Sequence, residues 1–247
     1  MGDRTRLFLT GVAAAGAVAL TVSPPWTWGE DDGQEQVQVV PLSSLKNFDG
    51  IKLDGPDTVI VTPGPDFSVS TEGDPQAVKH VSLAVHDGVL RVQRRQINGW
   101  WGSGGHAVTI RVTMPSLSRV WITGSGDLQA ENIDSKEFAA RLDGSGDLKV
   151  ANVQSNAVRL SLNGSGNMEL TGQTGEVSAV LVGSGGVQAS GLESRTADIS
   201  VSGSGEIHAQ ARQNAKLTLN GSGHAQVDGT NRCQIQKTGS GDAECTS

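Results

Sequence analysis

The chain has 247 residues, 33 of them Gly, with no Tyr, four Phe and only 4% aromatic residues, which excludes a core built on aromatic side chains. The glycines follow no Gly-X-Y period, so a collagen helix is excluded as well. A net charge of −7, a pI of about 5.2 and scattered Lys and Arg offer no basic stripe for nucleic acid.

Residues 1–25 read as a targeting segment. Arg4 and Arg6 precede an apolar run over residues 7–22, short against the roughly 20 residues of a spanning helix. Ala17-Val18-Ala19 offers a small-residue cleavage pattern. The segment is expected to be a cleaved signal peptide or an uncleaved anchor, and in either case the rest is exported. Membrane contact is expected only through it. Residues 26–45, with an acidic stretch from Glu30 to Glu35, read as a linker.

Residues 46–118 read as a β-rich segment. Short β-type runs at residues 51–53, 59–61 and 67–70 are punctuated by Gly50, Gly55-Pro56, Pro63-Gly64-Pro65 and Gly73-Asp74-Pro75. Such Gly and Pro positions force turns or end pairing. Residues 81–92 predict a hairpin turning at Asp87-Gly88. Residues 99–105 form a Gly-rich loop carrying Trp100 and Trp101. Two adjacent indoles there could stack on a sugar, rest at a membrane interface or fold back on the cap. Residues 108–114 alternate cleanly and stop at Pro115.

Residues 119–247 repeat. Gly-Ser-Gly begins at Gly124, Gly144, Gly164, Gly183, Gly203, Gly221 and Gly239, a period of 18 to 20 residues. Two before each first Gly stand Ile122, Leu142, Leu162, Leu181, Val201 and Leu219, with Lys237 breaking the series. Four after stand Leu128, Leu148, Met168, Val187, Ile207, Ala225 and Ala243. Even offsets place these residues on one face of an extended chain, where a helix would need offsets of three and four. The expected fold is all-β: a right-handed parallel β-helix of roughly 20-residue coils, with residues 46–118 as an N-terminal β-rich cap region. A coil of that length has a perimeter of about 66 Å, and seven coils rise about 34 Å. Both glycines of each motif should face inward or make a bend, and the serine between them should face out.

Cys233 and Cys245 lie six residues either side of Gly239, so both sulfurs should point into the last coil. An even count in an exported chain suggests a disulfide there. The serine repeats once per coil, which argues for turn chemistry over a single activated nucleophile. Asp127, Asp143 and Asp147, with Asn163 and Asn167, could gather as Ca²⁺ ligands or form a solvated polar edge. The histidines show no zinc spacing. No cofactor is expected.

Three further stretches carry a family resemblance: Phe48-Asp49-Gly50-Ile51-Lys52-Leu53-Asp54-Gly55, Val112-Thr113-Met114-Pro115-Ser116-Leu117, and Gly-Ser-Gly-Asp-Leu at Gly124 and Gly144. Over residues 46–247 the chain resembles the family known as putative auto-transporter adhesin, head GIN domain. The resemblance implies an exported bacterial cell-envelope β-helix of undetermined function. The expectation is a non-enzymatic envelope or surface protein, in the periplasm or on the cell surface, that offers a β-helical face to a glycan or an envelope protein. The alternatives are a polysaccharide lyase or hydrolase on a β-helix, and a membrane-anchored structural or signalling ectodomain.

Overall fold

A computed structural model describes residues 42–95 and 107–247. The targeting segment, most of the linker and the loop bearing Trp100 and Trp101 lie outside these residues. A 3-10 turn at Leu42–Ser44 leads into β1 (Gly50–Asp54), β2 (Thr58–Pro63) and β3 (Ser68–Glu72). A four-residue helix α1 (Pro75–Val78) follows. Asp74 caps it, its Oδ1 accepting from Gln76 N at 2.8 Å and Ala77 N at 3.1 Å. Pro75 loses nothing at the first helical position, because its missing N–H would have no helical partner there. Then come β4 (Val81–His86), β5 (Val89–Arg94), β6 (Thr109–Met114), β7 (Arg119–Gly124), β8 (Asp127–Glu131) and β9 (Glu137–Gly144). The long strands β10 (Asp147–Gly164), β11 (Asn167–Gly183), β12 (Gly186–Gly203) and β13 (Glu206–Gly221) each run round a corner. The chain finishes in β14 (His224–Asp228), β15 (Cys233–Thr238) and β16 (Asp242–Thr246).

The strands stack into two parallel ladders. The strands that precede the Gly-Ser-Gly corners stack in the order β5, β1, β7, β9, β10, β11, β12, β13, β15. Those that follow the corners stack as β6, β2, β8, β10, β11, β12, β13, β14, β16. The register matches the sequence reading. Ile122, Leu142, Leu162, Leu181, Val201 and Leu219 are aligned rung by rung, as are Leu128, Leu148, Met168, Val187, Ile207 and Ala225. All are buried, and a slip by one residue would turn either set to solvent. Ile133, Val153 and Leu192 close a third side from within. The core is a column of aliphatic side chains, with Phe48 and Phe138 as its buried aromatics among the described residues.

Residues 46–118 build part of the same stack. β1 and β2 pair with β7 and β8 in register, Asp54 with Thr123 and Thr58 with Asp127. Gly55-Pro56-Asp57 therefore occupies the corner that Gly-Ser-Gly occupies elsewhere. β5 and β6 form a further rung on the outer side of β1 and β2. The end is then covered by antiparallel strands, β4 on β5 and β3 on β6. The β4–β5 hairpin turns at Asp87 and Gly88, with φ of 49° and 73°, as the sequence predicts.

Asp57 stands at the second-glycine position and points into the core. Its side chain is fully buried and that of Arg94, in the adjoining rung, is 2% exposed. Arg94 donates to both carboxylate oxygens, and Val108 N donates to Oδ1 at 2.9 Å. A buried charge is tolerable only with such complete pairing.

The other end is open. β15 and β16 are bridged by the Cys233–Cys245 disulfide, with a Cα–Cα distance of 6.4 Å. Lys237 takes the inward column opposite Leu219, and Ile235 beside it is 44% exposed.

Candidate functional site

The repeated corner is a backbone device. The first glycine of each motif has a positive φ, between 107° and 144°, and makes the bend; the second is buried. The carbonyl oxygen of Gly144 accepts from Ser165 N at 3.0 Å and from Gly166 N at 3.2 Å. The same pair of bonds recurs on Gly124, Gly164, Gly183 and Gly203. The seven serine side chains are exposed. No triad geometry is needed to account for a serine whose backbone N–H bonds to the preceding rung at Ser145, Ser165, Ser184, Ser204 and Ser222.

The acidic residues separate at this corner. Asp127 and Asp147 follow it, and their carboxylates are used within the ladder. Asp127 Oδ1 accepts from Asp147 N at 2.9 Å; Asp147 Oδ1 accepts from Asn167 N at 3.2 Å and Nδ2 at 3.0 Å. Asp143 precedes the corner and bonds instead to Arg141 Nε at 2.6 Å and Trp121 Nε1 at 3.2 Å. Among the described residues no group of three or more His, Cys, Asp or Glu is arranged to hold a metal ion.

Trp121, which the sequence reading passed over, stands outward on the first ladder. Its neighbours in the stack are Lys52 and Arg141. Lys52 Nζ lies 4.3 Å and Arg141 Cζ 5.4 Å from the ring centroid. Both cations approach the ring faces, so the indole is held in a cation–π column. Its odd offset from Gly124 was the signal that it faces out.

A different corner presents free polar groups. Before the first ladder the chain turns at Ser135, Ser155, Thr174 and Ser194. The first three hydroxyls donate to the carbonyl two residues on, at 3.1, 3.2 and 3.1 Å; Ser194 Oγ donates to Gln210 O at 2.6 Å. These hydroxyls recur at intervals of 20, 19 and 20 residues, a periodicity that aligning the stretches between the Gly-Ser-Gly motifs would have disclosed.

Outside this hydroxyl column runs a groove of about 570 Å³. It is lined by Asp134, Gln154 and Gln173 on one flank, and by Lys136, Asn156, Gly175 and Arg195 on the other. Gln154 pairs in register with Asp134 and with Gln173. Gly175 is required by close approach: a Cβ there would stand 2.6 Å from the Asn156 carbonyl oxygen and 2.9 Å from Arg195 Nη2. The two nearest paired acids are committed elsewhere, Glu137 to Arg159 at 2.9 Å and Glu193 to Arg212.

Two carboxylates elsewhere are perturbed. Burial opposes charge on Asp49, but hydrogen bonds from Arg119 and Ser118 and the Arg119 charge outweigh it and hold its pKa below the ordinary value. Hydrogen bonds from Thr246 and Gln226, aided by the nearby His208, hold Asp228 low against burial.

The family described as "Putative auto-transporter adhesin, head GIN domain" matches residues 47–231. Solved structures that share the fold include the following three. A "putative adhesin" from Bacteroides fragilis NCTC 9343 superposes with a TM-score of 0.75 at 19% identity, covering 82% of this chain and 93% of that one. A "putative lipid binding protein" from Parabacteroides distasonis ATCC 8503 gives 0.63 at 20% identity, covering 84% and 94%. A "putative adhesin" from Parabacteroides merdae ATCC 43184 gives 0.60 at 20%, covering 81% and 92%. No curated protein matches the chain.

Proposed function

The chain belongs to the head GIN domain family, and from that premise we propose that it is an exported, non-enzymatic binding protein of the cell envelope or cell surface, with a glycan or an envelope protein as its partner. The disulfide supports export, because such bonds persist in oxidising compartments. The adhesin description of the family supports binding over catalysis. The single observation that carries the reading is the groove flanked by Gln154, Asn156 and Gln173. Its amides have no side-chain partner among the described residues, which leaves them for a ligand. Solenoids commonly bind along such side faces. The inward positions are filled by buried aliphatic side chains, so binding is assigned to the outer surface.

The test pairs two assays on the purified full chain. A glycan array and a capture assay on envelope proteins should find a partner, while reducing-sugar release from the same polysaccharides should stay at background. Steady turnover of any of them would replace this reading with an enzymatic one. An array with no bound glycan would remove the glycan partner.

A further inference from the structure

We propose that the groove outside the Ser135, Ser155 and Thr174 column binds a carboxylate-bearing polysaccharide segment. This rests on the binding reading above and names its site and ligand class. The chemistry follows from three features of the groove.

The first is its pair of cations. Lys136 and Arg195 line the same flank, and neither has an ion-pair partner among the described residues. The other basic side chains around them, Arg159 and Arg212, are already paired with Glu137 and Glu193. In a chain of net charge −7, two unpaired cations in one groove favour an anionic group there. The guanidinium of Arg195 presents a planar fork that matches a carboxylate.

The second is the gap at Gly175. The flank reads Lys136, Asn156, Gly175, Arg195 along successive rungs, so one rung offers no side chain. Arg195 leans over that gap, as its Nη2 position shows. The guanidinium therefore faces the middle of the groove, beside Asn156, instead of the next rung outward.

The third is the periodic spacing of the amides. Gln154 and Gln173 lie on adjacent rungs about 4.8 Å apart, with Asn156 opposite. Each amide offers both a donor and an acceptor, as a polymer rich in hydroxyl groups requires. Asp134 at one end of the groove accepts hydroxyl donors and repels a second acid there. A chain of sugars running along the stack, with an acidic group under Arg195, satisfies the whole lining.

The experiment measures binding of the full chain to an oligogalacturonate, to a neutral maltooligosaccharide of equal length and to dextran sulfate. The oligogalacturonate should bind most tightly, and its affinity should fall with added salt. Arg195→Gln should weaken it about tenfold, the loss expected for one charge-assisted hydrogen bond. Lys136→Gln should weaken it less. Asn156→Ala with Gln173→Ala should weaken it without changing the salt dependence. All four side chains are exposed, so thermal unfolding of each variant should match wild type. Oligogalacturonate binding that survives Arg195→Gln and Lys136→Gln together would overturn the site while leaving the binding function intact. Preference for the neutral oligosaccharide or for dextran sulfate would overturn the ligand class. Capture of an envelope protein with no saccharide bound at all would overturn the inference and keep the broader reading.

Discussion

A Cβ on Gly164 would stand 2.2 Å from the Gly144 carbonyl oxygen, and one on Gly166 would stand 2.1 Å from that of Gly146. No side-chain rotation relieves a clash with backbone. Gly164→Ala or Gly166→Ala should therefore cost at least about 1–3 kcal/mol, while Ser165→Ala should stay within about 0.5 kcal/mol. Urea denaturation of the three variants distinguishes these outcomes. Asp57 has the opposite problem, a charge where its counterparts have only hydrogen. Asp57→Asn removes the carboxylate that pairs with the buried Arg94 and should cost about 3–5 kcal/mol. Asp57→Gly combined with Arg94→Leu should cost less, because it removes both charges together. Asp49 sets an acid dependence. Its pKa is lowered in the folded chain, so its contribution to stability is complete above its ordinary value, near pH 4, and is lost as pH falls through the folded value. Between pH 6 and pH 3, Asp49→Asn should flatten the fall in the urea midpoint. An unchanged slope would mean that the Asp49 contacts with Arg119 and Ser118 contribute nothing.

At the scale of elements, legibility followed spacing. The corners from Gly124 to Gly239 could be read because nothing interrupts them. Gly55-Pro56-Asp57 could not, although it makes the same corner. It lies 69 residues before Gly124, because β3, α1, β4, β5 and β6 intervene, and Pro and Asp replace the second and third residues. The groove was missed for a different reason. Its lining comes from four rungs, and no single repeat contains more than a fragment of it. Trp100 and Trp101, singled out in the sequence, fall outside the described residues, whereas the groove came from residues of ordinary composition. The disulfide of the last coil was legible in the even offsets of its two cysteines. Removing that disulfide by Cys233→Ser and Cys245→Ser should destabilise the coil by about 2–4 kcal/mol. Hydrogen exchange should then quicken in β15 and β16 and stay unchanged in β10 and β11. Lys237 is the second device at this end, an inward charge on an edge strand of the kind that discourages further pairing. Lys237→Leu restores the apolar column and should produce concentration-dependent end-to-end association, visible by light scattering.

For the molecule as a whole, each rung contacts chiefly its neighbours, so stability is close to a sum over rungs. Gly164 pairs with Gly183, and excising residues 164–182 joins Asn163 to Gly183 with every inward column kept. The shortened chain should fold to the same β-type circular dichroism spectrum and melt a few degrees lower, whereas removal of about half that length should abolish folding, because it sets strand residues against the Gly-Ser-Gly corners of the neighbouring rungs. The order of the chain differs from the order of the stack in one place. β1 and β2 are made first, yet they stand between β5 and β6 on one side and β7 and β8 on the other. The nascent protein thus seeds its stack from an interior rung, with two bare edges, and only later layers shield them. Synthesis arrested before residue 119 leaves one of these edges unpaired, and arrest at residue 221 leaves the edge of β13 unpaired, without β14, β15, β16, the disulfide and Lys237. Chaperones and proteases should therefore recognise both arrested forms, and only a chain that has added its last coil should escape cellular quality control.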